Sequence, residues 1–193
     1  MHRLLNNYKN MIKKETIKNK YIGKKPSVKL EKYLNKIKHQ ILEHKTVYTA
    51  FDAASTMHKK LSEIAKSLLV TADKDYYLVL LPADYNLDFK KLGKCIGAIE
   101  NKKIKAVNIS GEKLMKKILD IKAGTLSAFG GLYKLPVVMD KGLAKAKKAV
   151  FSGGSFNHSV EMAVKDFIKL ENATLGSFGI KKKIKLLVSL KKK

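Results

Sequence analysis

The chain has one cysteine, three prolines and no tryptophan in 193 residues. A single thiol, Cys95, excludes an intramolecular disulfide and any zinc site built on cysteines. Arginine is almost missing: 40 of the 41 basic residues are lysine, and only Arg3 is not. Base-edge or bidentate phosphate readout, the work for which arginine is suited, is therefore not written into this composition. Acidic residues are scarce as well, 16 against 41 basic ones. No apolar run approaches the roughly 20 residues that a membrane-spanning helix needs. The segment Met1–Lys9 has no apolar core of a signal peptide. These absences together lead us to expect a cytoplasmic protein.

What remains is a basic globular chain. Hydrophobic residues make up 45% of it and the formal net charge is +25. Such a field favours polyanions, nucleic acid above all. A lysine bias across a whole genome would give the same count. The charge is uneven: residues 1–45 carry a net +10, residues 181–193 a net +7, and the longer middle only +8. We read a basic extension over 1–28, one domain over 29–175 and a lysine-rich tail over 176–193. Tails of this kind suit non-specific phosphate contact.

Apolar spacing predicts the elements. Leu30, Tyr33, Leu34, Ile37, Ile41 and Leu42 predict a helix ending near His44. Val47–Thr49 reads as a short strand and Phe51–Met57 as a helix. Ile64–Val70 and Tyr76–Leu81 are strands joined by a turn at Asp73–Asp75, with Pro82 closing the second. Leu87–Ile96 is helical, with Asp88 at its start and Gly97 after it. Lys105–Val107 is a short strand, and Ser110 caps a helix through Leu119. Pro136–Met139, Ala149–Phe151 and His158–Met162 are strands, and Val164–Leu170 a closing helix. Ile184–Leu190 is an extra strand or an apolar tail. This irregular order predicts an α+β domain, a mixed sheet or partly closed barrel flanked by helices.

Two features carry chemistry. Period-two alternation puts Lys66 on one face with Ile64, Leu68 and Val70, and an ammonium beside branched aliphatics needs an anion or a set of acceptors. The alternative is a lysine that snorkels to water. Some sixty residues on, Ala123–Gly131 holds three glycines and small polar residues. Such a loop can aim backbone N–H groups at an anion or at a carbonyl oxygen under attack, or it can simply connect. It is neither a P-loop nor a dinucleotide fingerprint. Ser152-Gly153-Gly154-Ser155 reads as a hairpin turn or as a second small-residue wall. His44 and His158 flank predicted strand starts, but no two histidines lie at ligand spacing, so no metal site is expected. Cys95 has no base partner and reads as a small buried residue. No Gly-x-Ser-x-Gly elbow is present.

Taken in order, these segments resemble the YbaK/prolyl-tRNA-synthetase-associated domain family of aminoacyl-tRNA editing domains. His44–Ala50 is similar to its opening strand, and Ile64–Val70 to its lysine-bearing strand. Leu81–Leu92 is similar to its Pro-x-Asp and Leu-Asp-x-x-Lys-Leu segment, and Gly124–Gly130 to its Gly-x-x-x-Pro loop. Pro136–Asp140 and Ser152–Ser155 are similar to its later strand and turn. The resemblance spans roughly residues 44–171. One departure is Ala128, which stands where the family pattern has proline and so leaves the loop less stiff.

The resemblance implies hydrolysis of the ester of a mischarged tRNA carrying a small amino acid of Cys, Ala, Ser or Thr type. It implies no cofactor and no protein nucleophile. Lys66, Gly124, Ser127 and Ala128 would form the catalytic centre. Lys66 would hold the terminal phosphate or the substrate by charge, and the amides of 125–129 would meet the oxyanion. His44, Tyr48, Ser67, Phe129, Ser152, Gly153, Gly154 and His158 would surround the substrate. The expected partners are mischarged tRNA and a synthetase such as prolyl-tRNA synthetase. The alternative is a non-catalytic RNA-binding protein that keeps the fold.

Overall fold

The structure, a computed structural model, describes residues 26–182. The basic segment 1–25 and the apolar stretch Ile184–Leu190 lie outside the described residues. The elements run α1 (Val28–Leu34), β1 (His39–Glu43), α2 (Ala50–Thr56), β2 (Ala65–Ala72), β3 (Asp75–Pro82), β4 (Tyr85–Leu87), α3 (Phe89–Ile99), β5 (Val107–Ile109), α4 (Glu112–Leu119), β6 (Val137–Asp140), α5 (Lys141–Ala144), β7 (Lys148–Ser152), β8 (His158–Ala163), α6 (Val164–Glu171), β9 (Thr174–Gly176) and β10 (Gly179–Lys181). Short 3₁₀ turns cover Leu61–Glu63 and Gly130–Leu132.

A five-stranded sheet in the order β5-β2-β3-β6-β9 forms the centre. It is mixed: β2 is antiparallel to both β5 and β3, whereas β6 is parallel to β3 and β9. An antiparallel sheet, β1-β8-β7, packs against it, and β4 pairs with β10. Among the described residues a single bridge, Ile64 to Val150, joins the two larger sheets. The fold is therefore the expected α+β class with mixed sheets, and the sheets do not close into a barrel.

The near-continuous apolar run of β3 follows from cover on both faces. Leu78 and Leu80 enter the main core with Phe129, Phe151, Phe167 and the leucines of α1. Tyr77, Val79 and Leu81 face the other way, against Leu92 and Ile96 of α3 and against Phe178. Val70, on the same side, joins this second cluster.

Several expected elements are displaced. The helix of α1 stops at Leu34, and His39–Glu43 is a strand paired with β8 in register Ile41 to Val160. Ile37, Ile41 and Leu42 satisfy a helical spacing, but pairing with an existing strand edge decides their state. Val47–Thr49 forms no strand; Thr49 instead caps α2 in a reciprocal capping box with Asp52. Helix α3 continues through Gly97 to Ile99. Strand β5 lies two residues beyond its expected start. Ser110 caps nothing: Gly111 precedes α4, and the Ser110 hydroxyl bonds Thr71 at 2.8 Å. The packed chain runs on past residue 175, through buried Phe178 and the strand Gly179–Lys181. No described helix is long and apolar enough to cross a membrane.

Candidate active site

Strand β2 is paired along its whole length with β3, but β5 covers only Val70–Ala72 on the other side. Beside the uncovered stretch opens a cleft of about 380 Å³. Its walls come from α2 and the segment before it, β2, β7 and the glycine-rich loop. Among the expected site residues, Lys66, Ser67, Tyr48, Gly124 and Ser152 line it together.

Lys66 donates from Nζ to the Tyr85 carbonyl at 2.7 Å. Among the described residues no carboxylate pairs with it. Burial, and then the charge of Lys182, pushes its ammonium below the ordinary lysine pKa. This is a cation held by one neutral acceptor and left without a counter-ion, a seat for an anion. Beside it, the Ser67 Oγ is buried and has no hydrogen-bond partner among the described residues. Tyr48 lies at the rim, 73% exposed, with its ring 5.2 Å from that of Phe156.

The glycine-rich loop is more occupied than its sequence suggests. The Thr125 amide donates to Lys122, Ser127 to the Tyr133 hydroxyl, Ala128 to the Ser152 carbonyl and Phe129 to the Ser127 hydroxyl. The amides of Gly124 and Leu126 have no partner among the described residues, and both residues line the cleft. Within the expected run 125–129 only the Leu126 amide is without a partner among the described residues, and the unpaired Gly124 amide lies just before that run. Gly124 has φ of +80°, and a Cβ there would meet the Phe156 ring at 2.6 Å.

The other expected residues stand behind the cleft. Ala128 and Phe129 are wholly buried; Phe129 packs on Phe151 and Phe167 in the core. Ser127 ties the loop to Ser152 through a 3.2 Å hydroxyl–carbonyl bond. Gly153 and Gly154 shape the turn after β7, with Gly154 at φ of +88° and the Gly153 amide donating to the His158 carbonyl. His158 is buried and bonded to the Ser155 hydroxyl at 3.0 Å. His44 reaches the cleft only through Ser159, whose Oγ lies 2.9 Å from its Nε2.

Leu126 of the loop and Ser155 of the Ser-Gly-Gly-Ser motif also line the cleft, as do Met115 and Ser159, which the sequence reading does not single out. Met115 and Ser159 carry no local signal.

A lysine-bearing strand and an N–H-bearing loop thus share one cleft on an α+β scaffold. A family model described as the aminoacyl-tRNA editing domain matches residues 44–170, and the chain belongs to that family. The structure is similar to that of a candidate trans-editing enzyme for prolyl-tRNA synthetase, with TM-score 0.70 and 18% identity over 82% of this chain and 99% of that one. It is also similar to hypothetical protein APE2540, with TM-score 0.69 and 20% identity over 79% of this chain and 99% of that one. A candidate signal-transduction protein from Marinobacter aquaeolei aligns at TM-score 0.60 and 16% identity, over 80% of this chain but 31% of its own. These likenesses show the fold. A search of curated protein sequences finds no match.

Proposed function

We propose that this protein is an aminoacyl-tRNA deacylase acting in trans, which hydrolyses the ester between a small amino acid and the terminal ribose of a mischarged tRNA. The observation that carries the reading is that, in a chain of the editing family, Lys66, Gly124 and Leu126 line one cleft, and the amides of the two loop residues have no partner among the described residues. Water adds to the ester carbonyl, and the negative charge that forms on its oxygen is met by these amides. Collapse of the tetrahedral intermediate breaks the bond to the ribose oxygen, which leaves with a proton. The products are a free amino acid and uncharged tRNA.

Lys66 holds the terminal phosphate by charge. A cleft of about 380 Å³ that also includes Tyr48, Met57 and Met115 accommodates a small side chain beside the ribose. The resemblance to a candidate trans-editing enzyme supports a synthetase of the prolyl type as partner. Retention of such a synthetase during co-purification would test that pairing.

The test of the function is deacylation of tRNAs charged with Cys, Ala, Ser, Thr and Pro. We expect one ester to be hydrolysed and Lys66→Ala to lose about 10²-fold in rate, the worth of a charge-assisted contact of about 3 kcal/mol. An intact panel with wild-type protein would refute the reading. Tight tRNA binding without hydrolysis would move the function to RNA binding.

A further inference from the structure

Two strands bring a serine and a histidine 115 residues apart in sequence into contact at the cleft. Ser159 lies on β8 opposite Ser152 of β7, and both line the cleft. Ser152 and Val150 alternate with Phe151 along β7, so Val150, Ser152 and Ser159 share one face and line the cleft, while Phe151 and Val160 lie on the other face and enter the core, Phe151 also bordering the cleft. His44 follows β1 directly, and its amide donates to the Asn157 carbonyl, which fixes the backbone beside Ser159.

The two ring nitrogens of His44 have different neighbours. Nδ1 lies 2.8 Å from the Lys45 carbonyl, which can only accept, so Nδ1 carries the proton. In the neutral ring Nε2 is then the acceptor, and the Ser159 hydroxyl 2.9 Å away donates to it. Serine, histidine and a carbonyl that orients the ring form the nucleophile–base–orienter order of acyl-transfer sites. Gly124 and Leu126, whose amides have no partner among the described residues, line the same cleft.

We propose that His44 and Ser159 form the proton relay of this site, with Ser159 taking a proton from the attacking water as its own passes to His44 Nε2. The proposal rests on the deacylase reading. The balance is complete. Water loses one proton and forms the new C–O bond, and His44 becomes an imidazolium. As the ester C–O bond breaks, the proton returns through Ser159 to the departing ribose oxygen. No oxidant, metal or covalent intermediate is involved. Ser159, facing the cleft, is the catalytic member, and His44 acts through it as a positioning residue and proton store.

The test uses the full-length protein and the ester that wild type hydrolyses. His44→Gln keeps a hydrogen-bonding partner for Ser159 but cannot store a proton. We expect it to lower kcat by about 10²–10⁴-fold, with KM within about threefold and an unchanged unfolding midpoint. Ser159→Ala should lose as much, and the double variant no more than either single one, because the pair acts as a unit. Ser159→Thr, which restores the hydroxyl, should recover most of the rate. A His44→Gln enzyme with more than a third of wild-type kcat overturns the relay, as does a double variant whose losses multiply. In either case the deacylase reading stands. A wild type inert toward every ester overturns both.

Discussion

Asp140 and Glu171 both gather backbone amides around a turn, and they do so with opposite economy. Asp140 ends β6, buried, and uses both oxygens: Oδ1 accepts from Gly142, while Oδ2 accepts from Phe178 and Gly179 at 2.8 and 2.7 Å. It ties the last described strand to the central sheet. Glu171 ends α6 and accepts from the Gly131 amide at 3.0 Å through Oε2, while its Oε1 is buried without a partner among the described residues. The Tyr33 hydroxyl beside it is pushed up to about 12, by burial first and then by the charge of Glu171. The first carboxylate is fully matched and belongs to stability. The second is under-matched and sits at the foot of the loop that borders the cleft. Matching inside the fold, and not burial alone, separates a structural acid from an adjustable one.

If that contrast is right, Asp140→Ala is the largest stability effect among these sites. It strands three amides, that of wholly buried Phe178 and those of half-buried Gly142 and Gly179, at about 1–3 kcal/mol each before water reaches the latter two. We expect a loss of about 3–5 kcal/mol, a drop of roughly 10 °C or more in Tm, with kcat preserved below the transition. Thermal unfolding followed by circular dichroism measures the first, and deacylation at low temperature the second. Glu171→Ala should cost about 1 kcal/mol or less, because Gly131 is exposed and its freed amide meets water while an uncompensated buried oxygen is removed. Equal losses in the two variants would erase the distinction.

The sequence reveals these features unevenly, for physical reasons. Lys66 stands out because a charge breaks an apolar strand, and the loop because glycines cluster; both are local departures from pattern. The apolar run of β3 is equally plain because both of its faces are covered. The boundary after α1 is not, since Ile37, Ile41 and Leu42 fit a helix as well as a strand until β8 supplies a partner. Which loop amides stay free is invisible in the sequence, because Tyr133 and the Ser152 carbonyl decide it from outside the loop core. The His44–Ser159 contact is invisible for the same reason: His44 can be picked out but Ser159 carries no local signal, and only the β1-β8 register brings the two together. Glu171 lies just beyond the family match and Tyr33 well before it, so the anchoring of the loop belongs to this chain's own flanks.

The smallest effect is the sharpest test of the contrast. Burial raises the Glu171 carboxyl above its ordinary value of 4.5, against the opposing pull of the Gly131 amide, Tyr33 and the Gly130 amide. A raised pKa means that the folded state binds more protons than the unfolded one between the two values. The stability this contributes is full below the unfolded value and is lost as pH rises through the folded one. Glu171→Gln removes the titration and keeps an acceptor for Gly131. The difference in unfolding free energy, wild type minus Glu171→Gln, should therefore fall as pH is raised from about 4 to 7 in denaturant titrations. A difference that rises over that range would mean a carboxylate held in its charged form by its amides. Glu171 would then be a second fully matched clamp, and the loop beside the cleft would be fixed as firmly as the C-terminal strand.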